Sequence, residues 1–330
     1  MANAVLPTPG LPPVRSGGLD RKQSFVQRLR KGDEVLHLIT LAGGWSIIVI
    51  TALLVQHLWV YSRLSRHASG WHFLFSSTWD PVNGVFGAWP FMYGTIVTSI
   101  LALAISIPIG IGSAIFLAEL APRKLSDALT FLIELLAAVP SVIYGLIGIF
   151  LLIPMLFTVV PYFQKFFGWL PIFDGTFYGV SYFSASIVLS IMVVPFIISI
   201  SREVLISVPV AQREAMMALG ATKWDVTWRA VVPYARPGIM GSIFLSLARA
   251  LGETMAVTMV IGNVAQVSTS MMAPGYTIAA VIANEFTEAT SDLYRHALIE
   301  LGLVLFVVTM IFNALARLLM LTMKGHEVAG

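Results

Sequence analysis

An arginine and a glutamate stand close together inside an apolar part of the chain. Arg249 lies near the midpoint of the run 238–261, and Glu253 follows it by four residues. In a helix that spacing places both side chains on one face, one turn apart. A charge at bilayer depth costs on the order of 3 kcal/mol on insertion scales, so the pair must face protein or water. Because the planar donor fork of arginine suits phosphate oxygens, the spacing predicts an anion site in which Glu253 holds the guanidinium between binding events.

The same two residues admit a second interpretation. A buried arginine and glutamate can form an ion pair that only fixes how helices pack. The residues alone leave both alternatives open. Hydroxyl groups on Ser246, Thr254 and Thr258 could add contacts to an anion, although serine and threonine are common in membrane helices. The candidate pathway therefore consists of Arg249, Glu253, Thr254 and Ser246.

The composition places the chain in a membrane. Hydrophobic residues make up 57% of the 330 residues and charged residues 11%, far from the mixture of a soluble protein. A helix needs about 20 apolar residues to cross a bilayer. We therefore predict an all-α integral membrane protein with six transmembrane helices, at about 36–61, 94–120, 129–159, 185–206, 238–261 and 297–323. Run 129–159 contains Pro140 and Pro154, so we expect it to be bent, tilted or partly re-entrant.

The distribution of lysine and arginine predicts the orientation. With a cytoplasmic N-terminus, the inner segments hold fifteen of these residues and the outer segments hold four. This bias predicts that both termini are cytoplasmic. The chain then divides into a basic, partly disordered N-terminal tail at 1–35, a first transmembrane helix with an external loop at 36–93, a transmembrane core at 94–320 and a cytoplasmic C-terminal tail at 321–330. The basic charge balance reflects this orientation, and no nucleic-acid-binding signature accompanies it.

The second apolar run, 94–120, carries small residues along one side. They recur at every fourth position, which predicts close packing against another helix, because small residues let two membrane helices approach each other. The acid near the inner end of this run, Glu119, is expected to be solvated. The small residues are Thr98, Ala102, Ser106, Gly110, Ala114 and Ala118.

A polar segment, 207–237, separates two of the apolar runs. Gly220 follows a helical pattern rich in Ala, Met and Leu, where a C-terminal cap is expected. Thr222 and Asp225 have the spacing of a new helix N-terminus. Pro233 and Pro237 are expected to stop the second pattern. The segment therefore predicts a helix–glycine–helix element that lies on a membrane surface and offers an apolar face to a partner.

The sequence VPSVIYG, residues 139–145, contains another helix breaker. Pro140 has no backbone donor, so it frees a carbonyl group inside a membrane helix. Such a carbonyl can line a polar pocket or mark a hinge. We predict a hinge formed by Pro140, Ser141, Tyr144 and Gly145.

Several of these segments match the motifs of a known family. Glu214-Ala215, Gly220 and Pro233 keep the spacing of the EAA motif, and the chain resembles the permease subunits of binding-protein-dependent ABC importers. The family pattern is Glu-Ala-Ala, then Gly, then Ile-x-Leu-Pro; three of its positions are occupied here by Met216, Ala230 and Val232. The runs LARALGETMAVTMVIGN, YGTIVTSILALAISIPIGIGSAIFLAEL and LLAAVPSVIYG are similar to the phosphate importers within that family. The matches cover roughly residues 93–319.

This resemblance implies a fold, partners and residue roles. The fold would be that of a type I (MetI-like) importer permease in a bacterial cytoplasmic membrane, and the substrate inorganic phosphate. The partners would be a second permease of the PstA type, a dimer of a PstB-type ATPase that binds ATP and Mg, and a PstS-type phosphate-binding protein. Glu214, Ala215, Gly220 and Pro233 would couple the chain to the ATPase, and Arg249 with Glu253 would contact the substrate.

The motifs that the sequence lacks narrow the function further. It contains no G-x-x-x-x-G-K-[ST] nucleotide loop, no H-E-x-x-H zinc helix and no G-x-S-x-G elbow. It also has no cysteine, so a thiolate metal site is excluded. We predict a transport subunit without an enzyme active site, a metal or a cofactor of its own. Transport of another oxyanion, such as sulfate or molybdate, and ion-coupled secondary transport remain as alternatives.

Overall fold

The computed structural model describes residues 33–327, and this part of the chain is helical. It contains no β-strand, only two isolated β-bridges. Six helices within it are long and apolar enough to cross a membrane, which confirms the predicted class and number. They are Val35–Tyr61, Trp89–Leu120, Ser141–Phe166, Tyr182–Ile206, Lys223–Leu251 and Asp292–Met320. The predicted tail 1–35 falls almost entirely outside the described residues, as do the last three residues.

Fourteen α-helices occupy the described part of the chain. They are α1 Asp33–Tyr61, α2 Arg63–Ser69, α3 His72–Phe75, α4 Trp89–Ile115, α5 Arg123–Ala137, α6 Ser141–Ile147, α7 Ile153–Phe167, α8 Tyr182–Ile206, α9 Val210–Ala218, α10 Lys223–Val226, α11 Val232–Leu251, α12 Met255–Ile261, α13 Ile278–Glu285 and α14 Asp292–Glu327. Three π-helical segments continue these helices without a break. They are Phe116–Leu120 after α4, Gly148–Leu152 between α6 and α7, and Thr227–Val231 between α10 and α11.

The chain divides into two compact units, 1–56 and 57–330. The described part of the first unit is residues 33–56 of α1. Its few hydroxyl groups bond to its own backbone: Thr51 Oγ1 donates to the Ile47 carbonyl at 2.8 Å, and Thr40 Oγ1 to the Leu36 carbonyl at 3.0 Å. Because these bonds satisfy the hydroxyls within the helix, an apolar membrane helix can carry them at little cost.

Helices α4 and α8 form the central packed pair of the second unit. The small side of α4 is buried, with Ala102, Ser106 and Ala114 inaccessible to solvent. A Cβ atom added to Gly110 would lie 2.6 Å from Ile197 Cγ2 on α8. The sequence prediction of close helix packing along this stripe is therefore confirmed.

The third predicted helix, 129–159, is wrong in its boundaries. The chain forms α5 up to Ala137, breaks, and begins again as α6 at Ser141. Pro140 stands at the break with φ −56° and ψ 138°, outside the helical region. The residue before a proline is also disfavoured in helical conformation, so the break falls here. The membrane-length helix that follows runs from Ser141 to Phe166, and α5 is a separate helix.

The fifth predicted helix, 238–261, is also wrong in its boundaries. Helix formation continues from Lys223 through the π segment and α11, and Pro233 and Pro237 do not stop it. The wider hydrogen-bond register of the π segment, which ends just before Val232, lets the helix tolerate the missing donor of Pro233. The helix ends at Leu251 instead, and the short α12 begins at Met255, after a gap of three residues.

Candidate functional site

Two helices that follow breaks in the chain, α6 and α12, pack against each other. A Cβ atom added to Gly145 on α6 would lie 2.5 Å from Met259 Sδ and 3.3 Å from Ala256 Cα, both on α12. Only a glycine permits this approach of α6 and α12. The breaks at 138–140 and 252–254 therefore lie at neighbouring helix ends, and they bring residues from distant parts of the sequence together.

At the first break, a tyrosine binds the backbone. The Tyr144 hydroxyl donates a hydrogen bond to the Leu136 carbonyl at 2.7 Å. Leu136 lies four residues before Pro140, so its carbonyl would accept the helical bond that a proline cannot donate. This carbonyl also accepts a hydrogen bond from the Val139 backbone nitrogen at 3.1 Å, so the prediction of a free carbonyl is wrong and Tyr144 adds a second bond to it. The hinge role of Pro140, Ser141, Tyr144 and Gly145 stays a prediction.

At the second break, Arg249 lies in the last turn of α11 with an exposed side chain. Its guanidinium carbon is 5.3 Å from the ring centroid of Phe196 on α8, within range of a cation–π interaction. Among the side chains that the structure describes, no carboxylate lies within 4.0 Å of this guanidinium. Arg249 is therefore placed beside both breaks without an acidic partner.

Glu253 does not pair with Arg249, which corrects the sequence prediction. The helix ends at Leu251, so the four-residue spacing no longer places the two side chains on one helical face. The Glu253 carboxylate instead accepts a hydrogen bond from the Ala256 backbone nitrogen at 3.2 Å. It thus satisfies one of the free N–H groups at the start of α12, where a negative charge is also favoured.

The predicted hydroxyl contacts fall into two environments. Ser246 is inaccessible to solvent, and its hydroxyl has no hydrogen-bond partner among the described residues. Thr254 is half-buried at the break, and its backbone carbonyl accepts a hydrogen bond from the Thr258 hydroxyl at 2.7 Å. Thr254 thus lies nearer the surface that carries Arg249. Phe196 lies within an apolar run and belongs to no motif, so sequence reasoning missed it.

The polar segment forms the predicted helix–glycine–helix element. Gly220 follows α9 with φ +81°, the left-handed conformation that caps a helix. Thr222 Oγ1 accepts from the Asp225 backbone nitrogen at 3.2 Å and starts α10. Glu214 and Ala215 on α9 are exposed, so two of the predicted coupling residues are available to a partner.

An apolar surface lies beside this element. The rings of Trp224 and Trp228 are 58% and 46% exposed, and their centroids are 5.5 Å apart. Pro233, further along the same helix, is half-buried. Exposed tryptophans beside an otherwise polar helix are typical of a protein or lipid contact.

One ion pair joins this element to the transmembrane helices. Arg213 on α9 binds Glu119 of the π segment after α4, with 2.8 Å between Nη2 and Oε1. The same guanidinium donates to the backbone carbonyls of Leu205 and Val208, at the end of α8 and just beyond it. The expectation that Glu119 is solvated is therefore wrong, because its side chain is only 12% exposed and paired.

At the other end of the helices, a glutamate joins three segments. Glu285 at the end of α13 accepts hydrogen bonds from Trp79 Nε1 at 2.9 Å and from the Tyr294 hydroxyl. Tyr276 lies next to this group, and its burial raises the pKa of its phenol to about 12. Helix α13, Ile278–Glu285, is thus fixed to its surroundings by the side chain at its last residue.

Six membrane-length helices, two of which start or end at breaks near Arg249, together with an exposed helical element, define a membrane transport subunit. The chain belongs to the family described as binding-protein-dependent transport system inner membrane component, whose model matches residues 106–324. It therefore has the fold of a type I ABC importer permease, and it is a membrane subunit of a transport system.

Relatives in this family include phosphate permeases. The chain is 44% identical to phosphate transport system permease protein PstC of Mesorhizobium japonicum, over 97% of this chain and 98% of that protein. It is 45% identical to the PstC of Xylella fastidiosa, over 88% of this chain and 90% of that protein. A solved structure of a bacterial alginate ABC transporter, with an alginate pentasaccharide-bound periplasmic protein, contains a chain of the same fold. The TM-score is 0.56 at 14% identity, covering 88% of this chain and 95% of that one.

Proposed function

We propose that this chain is a permease subunit of an ATP-driven importer of inorganic phosphate in a bacterial cytoplasmic membrane. Its 44% identity to a PstC protein over nearly its whole length supports phosphate as the substrate. The observation that carries the proposal is the exposed, unpaired guanidinium of Arg249 beside two broken helices. That arrangement suits the transient binding of an oxyanion during transport.

The depth of Arg249 supports its role. Phe196, which it contacts, stands fourteen residues after the start of α8 and ten before its end, so the guanidinium lies far from either surface. A charge in that position costs on the order of 3 kcal/mol if it faces lipid. The exposed side of Arg249 therefore faces a water-filled pathway or another subunit. Phosphate oxygens can accept two parallel hydrogen bonds from the guanidinium and balance its charge.

The absence of an acidic partner changes how the anion would bind. An arginine held by a carboxylate would have to lose that partner before each substrate arrived. Arg249 is instead held near the ring of Phe196, whose attraction to a cation is about 0.5–2 kcal/mol and leaves the donor fork free. Glu253 caps the start of α12 and therefore does not compete with phosphate for Arg249.

The remaining parts of the transporter are other polypeptides. A PstA-type permease covers the exposed face of this chain that carries Arg249, and the two line the pathway together. A PstB-type ATPase dimer binds ATP and Mg, since this sequence has no nucleotide-binding loop. A PstS-type protein delivers phosphate to the outer surface near α13. The apolar helix faces contact membrane lipid, and no nucleic acid takes part.

The element around Gly220 couples the chain to the ATPase. Helix α9, with Glu214 and Ala215 exposed, docks in a cleft of the ATPase, and the α10–α11 helix with Pro233 leads from there into the membrane. Closure of the ATPase dimer on ATP moves this element, and the transmembrane helices rock from inward-facing to outward-facing. In this proposal the element and both chain termini are cytoplasmic, which agrees with the orientation predicted from the lysine and arginine bias.

Reconstitution of the four-component transporter in proteoliposomes tests the proposal. Radiolabelled phosphate should enter only with ATP, and Arg249→Gln should abolish entry while all subunits still copurify. Arg295→Gln, which alters a half-exposed arginine at the start of α14, is the matched control and should transport normally. Normal phosphate uptake by Arg249→Gln would discard the pathway role of this residue.

The same preparation separates the alternatives. If sulfate or molybdate with its own binding protein stimulated ATP hydrolysis and phosphate did not, the substrate would be another oxyanion. If this chain moved phosphate without any ATPase, driven by an ion gradient, it would be a secondary carrier. Either result would overturn the proposed function.

A further inference from the structure

The coupling helix α9 is short and none of its residues is fully buried. Its apolar packing on the helices beneath it comes from the partly buried Met216. A helix of nine residues is not stable by itself in water. Its side-chain attachment to the transmembrane helices is therefore important for how it moves.

Arg213 provides that attachment. Its guanidinium binds the Glu119 carboxylate with both Nε and Nη2, and it also donates to the carbonyls of Leu205 and Val208. The side chains of Arg213 and Glu119 are only 18% and 12% exposed, so water screens this pair weakly. One side chain of α9 thus joins the end of α4 and the end of α8.

The two helices joined in this way form a stiff unit. Their small-residue stripe leaves almost no space between them, as the closeness of Gly110 to Ile197 shows. Tightly packed interfaces transmit displacement, because they cannot be compressed. Phe196 lies on the same helix, nine residues before Leu205, which is about 14 Å along the helix axis. A displacement of α9 that moves α8 therefore also moves the ring beside Arg249.

We propose that Arg213, held by Glu119, is the positioning residue through which movement of α9 reaches the α4–α8 pair and the pathway at Arg249. This inference rests on the proposed function, because it assumes that an ATPase moves α9. Arg213 contacts neither phosphate nor ATP. Its guanidinium is required because a lysine, with a single ammonium group, cannot hold one carboxylate and two carbonyls in fixed directions at once.

The test is the ratio of phosphate transported to ATP hydrolysed in proteoliposomes that contain the complete transporter. Arg213→Gln and Glu119→Gln should each lower this ratio about tenfold, within the usual range of coupling energies between sites. The unstimulated ATPase rate and the copurification of subunits should not change. Because both variants break one link, the double variant should be no worse than either single variant. Arg213→Lys should fall between the wild type and Arg213→Gln.

Arg202→Gln is the matched control. This arginine is also mostly buried near the end of α8, but it binds its neighbour Glu203 and the Ser126 hydroxyl of α5 and does not reach α9. Its ratio of phosphate to ATP should equal that of the wild type. If Arg213→Gln kept the wild-type ratio, or if both Arg213→Gln and Arg213→Lys failed to assemble, the inference would be overturned. A wild-type complex that took up no phosphate would instead overturn the proposed function.

Discussion

The hydroxyl of Tyr144 on α6 donates a hydrogen bond to the carbonyl of Leu136 on α5, 2.7 Å away on the other side of the break between the two helices. Pro140 cannot donate to this carbonyl, although it stands at the position that would normally do so. The carbonyl also accepts from the Val139 nitrogen at 3.1 Å, so the tyrosine adds a second hydrogen bond, which stabilises the broken conformation. The break thereby becomes a defined structure next to Arg249.

Replacement of this tyrosine should destabilise the break. Tyr144→Phe keeps the ring and removes the donor, so we expect a loss of about 1 kcal/mol in the free energy of unfolding and a lower melting temperature in detergent. Uptake should fall a few-fold. Tyr162→Phe is the control, because the Tyr162 side chain is 67% exposed. An unchanged melting temperature for Tyr144→Phe would show that this hydrogen bond contributes nothing.

The ring of Phe196 should influence how tightly phosphate binds. Phe196→Leu keeps an apolar side chain and removes the π face that attracts the guanidinium. The cation–π interaction is about 1 kcal/mol, so the substrate concentration for half-maximal uptake should change by roughly fivefold. Kinetics of uptake in proteoliposomes measure this change, and Phe150→Leu, at a residue that is 75% exposed, is the control. Identical kinetics for the two variants would contradict the proposed role of the ring.

Two substitutions of Glu253 distinguish the capping role from an ion pair with Arg249. Glu253→Gln keeps an oxygen that can accept from the Ala256 nitrogen, so uptake should stay within about twofold of the wild type. Glu253→Ala removes that acceptor and should lower the free energy of unfolding by about 1 kcal/mol. Uptake assays and thermal unfolding provide the measurements. Were Glu253→Gln as inactive as Arg249→Gln, the ion pair predicted from the sequence would be correct after all.

Features that depend on neighbouring residues in the chain could be predicted from the sequence. The Thr222 cap and the left-handed Gly220 follow from local backbone chemistry, and both are present. The stripe that includes Gly110 could also be predicted, because a period of four residues places small side chains on one helical face. In each case the physical cause lies within a few residues or one helix.

Features that depend on contacts between segments far apart in the sequence could not be predicted. Helix α11 ends at Leu251 although no proline stands near that position. Because the largely apolar sequence continues to Ile261, the pattern favoured a single helix up to that residue. The pairing of Arg213 with Glu119 joins residues 94 positions apart. No alternation or spacing in one sequence reports such a contact, and both charges looked like ordinary interfacial residues.

The packing of α4 on α8 should be sensitive to a single methyl group. Gly110→Ala places a Cβ atom 2.6 Å from Ile197 Cγ2, so the helices must separate. Such overpacking typically lowers the free energy of unfolding by about 1–3 kcal/mol. Gly112→Ala is a close control, because a Cβ atom there meets no atom within 4 Å. Thermal unfolding of the purified subunit compares the two, and equal melting temperatures would contradict this packing.

The turn at Gly220 should be needed for coupling more than for assembly. Its φ of +81° is strained for a residue with a side chain, by about 1–2 kcal/mol, although a Cβ atom there would meet nothing within 4 Å. Gly220→Val should therefore shift the angle between α9 and α10 without a clash. We expect phosphate uptake per ATP to fall while the subunits still copurify, because movement of α9 by the ATPase would then be transmitted to α10 at the wrong angle. Gly241→Ala, at an ordinary helical position with equal free space, is the control and should couple normally. Unchanged coupling in Gly220→Val would show that the direction of α9 relative to α10 is not what transmits the movement.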